Sequence, residues 1–245
     1  MTTEIRRYAT AAELGEAAAA YFAEAAGAAV AERGRFCAAL AGGRTPVLLY
    51  GALRRLPWLE AVPWTHVHLF WGDERCVPSG HPESNYGLAR RELLDRVPIP
   101  AENFHHTPVE SGTPAQAAAA WEAALHAFFG SGTGKDEFPA FDLVILGMGA
   151  DGHTASLFPG DAALEEKKRW VMPVSARGEP AVARLTLTLP VFNHARRALI
   201  LVAGADKRET FEAATARRES AQDAYPAARI RPRGTLSWFF TEASA

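Results

Sequence analysis

Residues 141–149 read Phe-Asp-Leu-Val-Ile-Leu-Gly-Met-Gly. A near-continuous apolar run closed by glycines is the pattern of a strand buried on both faces, as in a parallel sheet. Working outward, helical and strand patterns alternate. Upstream lies an Ala-rich helix over 114–129, with Trp121, Leu125, Phe128 and Phe129 on one side. Before it come a short strand over 104–107, a helix over 85–95 capped by Asn85, and a strand over 66–71. Earlier still, an apolar strand over 35–41 stops at Gly42-Gly43. Thr45 as N-cap and Pro46 at the first helical position then open a helix over 46–55. Thr10 caps a long helix over 10–33. Downstream the strand candidates are 170–175, 184–189, 197–203 and 235–240, with a helix over 205–218. Such alternation predicts an α/β fold with helices on both sides of a mostly parallel sheet.

The length of 245 residues allows one large domain or two small ones. No internal repeat is visible. The flexible stretch Gly130-Ser131-Gly132-Thr133-Gly134 lies between a helix and a strand, so it reads as a surface loop rather than a linker. A single domain, 1–245, is expected. With 26 basic and 28 acidic residues, the chain has no global electrostatic drive toward nucleic acid or anionic lipid. The aromatic residues fall mainly in apolar runs and read as core before they read as a stacking platform. No apolar run approaches 18 residues, so no membrane span is expected. The opening Met-Thr-Thr-Glu-Ile-Arg-Arg-Tyr lacks the apolar core of a secretion signal. Cys37 and Cys76 make neither a disulfide framework nor zinc spacing. A reduced, cytoplasmic protein is the expectation.

Ligands of open α/β sheets sit outside the carboxyl ends of the strands. Three loops there carry conspicuous polar residues. In Ala41-Gly42-Gly43-Arg44-Thr45-Pro46, two glycines precede a helix start, where backbone N–H groups favour an anion. A tight turn with an ordinary cap is the bland alternative. In Trp71-Gly72-Asp73-Glu74-Arg75, two acids and an arginine directly follow a strand; a solvated ion-pair turn is the alternative. The third loop, Gly147 to Pro159, contains Gly-Met-Gly-Ala-Asp-Gly-His. It matches the dinucleotide fingerprint formally, but no acid closes a second strand about 20 residues on. The better reading is a glycine-lined turn presenting His153 beside Asp151, an imidazole suited to proton transfer near neutral pH.

Other chemistries are poorly supported. No G-x-S-x-G elbow exists, and Ser156 has no matching strained turn. His66 and His68, or His105 and His106, lack a third metal ligand. Gly134-Lys135 lacks the earlier glycine of a P-loop.

At these loops the chain closely resembles the 6-phosphogluconolactonase family. The matching blocks are 41–46, 70–75, 82–89 with Ser84-Asn85-Tyr86, 141–159, 184–189, 204–207 and 231–234, in family order. The resemblance implies a three-layer α/β/α fold, shared with glucosamine-6-phosphate deaminases and ribose-5-phosphate isomerases. It implies hydrolysis of 6-phospho-D-glucono-1,5-lactone, the second step of the oxidative pentose phosphate pathway, with no cofactor and no metal. Arg44 stands where the family usually has Ser.

For that reaction His153 would be the base for water, with Asp151 orienting either His153 or the water. Asp73 and Arg75 contact either sugar hydroxyls or His153. Backbone N–H groups of Gly147–Gly152, Gly149 among them, would receive the oxyanion. Gly43, Arg44 and Thr45 would hold the phosphate, with Lys207 and Arg184 adding charge. The partner expected is this small substrate, without nucleic acid or membrane, and a monomer is expected. The nearest rival is an amino-sugar-phosphate deaminase/isomerase on the same fold. Its family carries a Glu shortly after the Asp-Gly-His block, whereas residues 154–160 here contain no acid. A non-catalytic sugar-phosphate sensor would need a DNA-binding helix-turn-helix, which the Ala-rich N-terminal helix does not supply.

Overall fold

A computed structural model describes residues 1–130, 138–216 and 219–245. The chain runs through β1 (Thr2–Arg7), α1 (Ala11–Arg33), β2 (Phe36–Leu40), α2 (Arg44–Leu53), α3 (Trp58–Ala61), β3 (Val67–Trp71) and β4 (Asp73–Arg75). It continues through α4 (Asn85–Glu92), α5 (Pro114–Phe129), β5 (Leu143–Gly147), β6 (Val171–Arg177) and β7 (Val182–Leu187). Last come α6 (Leu189–His194), β8 (Arg197–Ala203), α7 (Arg208–Thr215), α8 (Glu219–Ala224) and β9 (Thr235–Thr241).

The main sheet is parallel throughout, in the order β1-β9-β8-β5-β2-β3. Strand alternation sends successive residues to opposite faces, and each face has its own core. Phe36, Ala38, Leu40, Leu143, Ile145 and Leu199 pack on Leu14 and Phe22 of α1 and on Leu49 and Tyr50 of α2. Cys37, Ala39, Val144, Leu146, Ala198 and Ile200 pack on Trp121 of α5, Phe192 of α6 and Phe211 of α7. Each large apolar side chain so buried contributes roughly 1.5–3 kcal/mol. The α/β expectation, a mostly parallel sheet between helices, describes the protein.

Beside the α5, α6 and α7 layer lies a feature not expected from the sequence. β4, β7 and β6 form a separate antiparallel sheet, so the strands expected near 170–175 and 184–189 do not belong to the main one. The switch occurs at Gly72. Its N–H still bonds Leu40 O at 2.8 Å, while its carbonyl accepts from Leu187 N at 2.9 Å. Asp73 and Arg75 are thereby carried out of one sheet and into the other, above the carboxyl end of β3.

Local starts agree in part. Thr10 caps α1 in a reciprocal box with Glu13. The N-cap of α2 is Gly43, not Thr45, because Gly43 holds φ 85° and the helix begins at Arg44. Ser84 rather than Asn85 caps α4, its hydroxyl accepting from Gly87 N at 3.0 Å. The strand expected over 104–107 shrinks to one bridge between Leu69 and Phe104. The helix expected over 205–218 is a 3₁₀ turn, Ala205–Lys207, followed by α7; residues 217–218 lie outside the described residues. So does most of the glycine-rich stretch, Ser131 to Gly134, together with Lys135. β1 escaped the sequence reading because it is an edge strand with polar composition and an exposed Ile5. Among the described residues no helix is long and apolar enough to cross a membrane. Both cysteines are free, and burial pushes the Cys37 thiol up to about 12.

Candidate active site

A cavity of about 390 Å³ opens at the carboxyl ends of β2, β3 and β5 and the turn after β8. It collects Gly43, Arg44, Thr45, Asp73, Arg75, Gly149, His153, Arg184 and Lys207 from five separate stretches of chain. Asp151 is not in the wall; it stands against the ring of His153. Two other clefts, of about 350 and 360 Å³, lie at the amino ends of the strands. Their arginines are largely ion-paired, Arg33 with Asp142 at 2.9 Å and Arg197 with Glu24 at 3.1 Å.

The imidazole of His153 has 33% of its side chain exposed and leans on Phe158, ring centres 4.7 Å apart. Its Nδ1 meets Asp151 Oδ1 at 2.5 Å, and its backbone N–H donates to the same oxygen at 3.1 Å. A carboxylate at Nδ1 fixes the proton there and leaves Nε2 as the basic nitrogen. Burial alone would raise the Asp151 carboxyl. The His153 backbone bond, charge and ring bond outweigh burial and hold it below the usual range.

Gly149 is required by this pair: a Cβ there would fall 2.2 Å from the His153 ring and 2.7 Å from Asp151 Oδ1. The same close packing takes two of the expected oxyanion donors out of use. The Gly149 N–H donates to His153 O at 2.9 Å and the Gly152 N–H to Gly149 O at 3.0 Å, so neither is free for substrate.

After His153, Thr154 donates its hydroxyl to Gly147 O at 2.7 Å. Thr154 and Leu157 then close a tight turn whose second residue, Ala155, has φ 48°. Left-handed backbone at a residue with a Cβ costs about 1–2 kcal/mol. The turn around Ser156 is therefore strained after all. Its hydroxyl, however, is buried and donates to Asp73 Oδ2 at 2.6 Å, so it is not an exposed nucleophile.

On the opposite wall, Asp73 and Arg75 share one face of β4 and Glu74 takes the other, as a two-residue period requires. Glu74 is buried and accepts from Arg75 N at 2.7 Å, Ser84 Oγ at 3.1 Å, and Asn85 N and Tyr86 N at 2.8 Å each. Burial pushes its carboxyl up against the pull of those backbone bonds. Arg75 donates Nη1 to Glu83 O at 2.8 Å, and its Nε is buried without a protein partner.

The cations divide into two groups. Lys207 is pulled down by burial and by Arg44 nearby, with Asp206 opposing, and Arg44 and Lys207 both line the cavity. Arg184 does not join them. It is 4% exposed, and burial lowers it while Asp73, Arg75, Glu83 and Glu74 are the charges it feels. Its Nε and Nη2 donate to Arg177 O at 3.1 Å and Pro180 O at 3.0 Å, holding the β6–β7 hairpin over Phe158. Gly43 is exposed and has positive φ, and a Cβ there would meet only open space beside Arg44 and Thr45.

His68 and His105 are stacked, with Nδ1 and Nε2 3.2 Å apart, and neither lines this cavity. Among the described residues no group of three His, Cys, Asp or Glu side chains is placed to hold a metal. Sequence reading missed the uses of Glu74, Asn85 and Ser156. Strand periodicity would have turned Glu74 away from Asp73, but nothing local announces a bond from Ser156 to Asp73.

Fold and site together describe an α/β protein that receives a small anionic molecule beside a His–Asp pair. A family model described as glucosamine-6-phosphate isomerases/6-phosphogluconolactonase matches residues 9–238, and the chain belongs to this family. It is 45% identical over 217 residues to a 6-phosphogluconolactonase of Nostoc sp., covering 88% of this chain and 86% of that one. A 6-phosphogluconolactonase of Synechocystis sp. is 45% identical over 214 residues, 87% of this chain and 85% of that one. Among solved structures, the 6-phosphogluconolactonase from Trypanosoma brucei superposes with a TM-score of 0.85 at 30% identity, covering 98% and 97% of the two chains. A monomeric glucosamine-6-phosphate deaminase shares the fold at a TM-score of 0.80 and 18% identity, covering 98% of each chain.

Proposed function

We propose that this protein hydrolyses 6-phospho-D-glucono-1,5-lactone to 6-phospho-D-gluconate. The observation that carries the reading is the His153–Asp151 pair at 2.5 Å, with His153 in a cavity that Arg44 and Lys207 also line. The names of relatives support the reading: similar proteins of Nostoc sp. and Synechocystis sp. are named 6-phosphogluconolactonase. The cavity draws on stretches from Gly43 to Lys207, which supports one domain, 1–245; a monomer is part of the same reading. A cytoplasmic location fits the substrate.

A δ-lactone is an activated ester, so hydrolysis needs a water, a base and support for negative charge. Nε2 of His153 takes a proton from water as its oxygen adds to C1. The Asp151 carboxylate balances the imidazolium that forms. Charge on the former carbonyl oxygen falls to the Arg75 guanidinium, which lines the cavity. The C1–ring oxygen bond then breaks, and the imidazolium returns its proton to the departing C5 oxygen. Water is consumed and no cofactor is needed. The phosphate sits on Gly43, Arg44, Thr45 and Lys207, while Asp73 and Arg184 face the sugar.

The test is His153→Ala in an assay coupled to the next dehydrogenase, with an enzyme-free control for spontaneous opening. Turnover is expected to fall by about 100-fold or more. Turnover equal to the parent's removes His153 from the reaction, and release of ammonia from glucosamine 6-phosphate instead would favour the deaminase.

A further inference from the structure

Ser156 has 0% of its surface exposed, so it reaches no substrate. Yet its Oγ–H bond to Asp73 Oδ2, at 2.6 Å, joins the His153 loop to β4 across 83 positions of sequence. The other side of Asp73 is held too. Asn85, 1% exposed, donates Nδ2 to Asp73 Oδ1 at 3.2 Å and to its carbonyl at 2.8 Å. The Asn85 Oδ1 has no hydrogen-bond donor and lies against Gly42, where a Cβ would come within 1.7 Å. Asp73 is thus a junction: the His153 loop on one oxygen, and through Asn85 the Gly42-Gly43 turn on the other.

The turn that Ser156 helps to close is one the chain would not choose. Ala155 stands at φ 48°, backbone that residues with a Cβ avoid. His153 lies two residues before it, so relaxation of Ala155 moves the ring. A hydroxyl bonded to a carboxylate is a charge-assisted tie, strong enough to hold such a turn.

We infer that Ser156 is a positioning residue for the lactone hydrolysis proposed above: by bonding Asp73 it holds the strained 154–157 turn in the shape that aims His153 into the cavity. This inference rests on that functional reading. It also assigns Asp73 a fixed place as an acceptor in the wall, with a donor already on each oxygen. His153 is left as the base.

The experiment compares the parent, Ser156→Ala, and Ser156→Ala with Ala155→Gly. Glycine takes left-handed backbone freely, so it removes the need for the anchor. Ser156→Ala is expected to lower kcat by about tenfold to a hundredfold with KM little changed, the signature of misplaced chemistry. Adding Ala155→Gly is expected to restore a substantial part of kcat. The ring C–H signal of His153, followed by ¹H–¹³C NMR, gives a readout independent of turnover. It should be single in the parent, broadened or doubled in Ser156→Ala, and single again in the double variant. Parental kcat with an unshifted ring signal in Ser156→Ala overturns the inference. So does a loss of kcat that Ala155→Gly leaves untouched, which would place the effect in the charge of Asp73. If Ser156→Ala does not fold, Ser156→Cys, with a weaker donor of similar volume, carries the same comparison. A parent inactive on the lactone overturns the functional reading, while the NMR series still decides whether Ser156 positions His153.

Discussion

Arg44 and Lys207 lie close enough that the arginine depresses the buried ammonium, and only Asp206 opposes it. Two cations held together in this way gain from a dianion between them. Arg44→Ala combined with Lys207→Ala is therefore expected to raise KM for the phosphorylated lactone by about tenfold or more, each charged hydrogen bond being worth about 1.5–3 kcal/mol. KM for unphosphorylated gluconolactone should stay where it was. Equal rises for both substrates would reject a phosphate site at this pair. At this scale the sequence was a good guide to which residues line the cavity and a poor one to their partners. His153 and Asp151 are two residues apart, and their contact follows from a glycine turn. Arg184 was expected to add charge near the phosphate because it opens the 184–189 block that resembles the family. The side of the cavity it occupies depends on β7 joining β4, which no local pattern states.

The elements show where periodicity works and where it does not. β5, β2 and β8 were legible because strands buried on two faces must be apolar throughout. β4 was not, since three residues, Asp73-Glu74-Arg75, look like a polar turn until a second sheet gives them a partner. The start of α4 was misread by one residue for a similar reason. Its first free N–H groups, on Asn85 and Tyr86, are satisfied by Glu74 from a distant strand as well as by the local Ser84. Glu74 is the clasp between β4 and α4. Glu74→Ala strands its four donors in a buried place and is expected to cost on the order of 3 kcal/mol or more. Urea denaturation measures this: the midpoint should drop, and by less for Glu74→Gln. A midpoint unmoved by Glu74→Ala would mean that α4 keeps its place without the clasp.

For the molecule as a whole, the stacked pair His68 and His105 sets a response to acid. Burial, with His68 beside it, pulls the His105 ring down from 6.5 to about 4; burial and Arg35 lower His68. The native state thus prefers both rings neutral, while the unfolded chain takes up protons below about 6.5. Their contribution is present above pH 6.5 and lost as the pH falls from there toward 4. Melting temperature should decline over that window. His105→Phe, which keeps a ring among Phe70 and Phe128, should lose less. Identical declines for parent and variant would clear the pair of responsibility. A different consequence follows from the outer edge of the main sheet. Thr2–Arg7 pairs only with Thr235–Phe240, which in turn lies against the strand over 197–203. During translation the Thr2–Arg7 segment leaves the ribosome long before its ladder partner, which is complete only after residue 235 and those following it have emerged. A nascent chain halted short of that point keeps two adhesive borders open at once, one at each of the strands awaiting the missing segment.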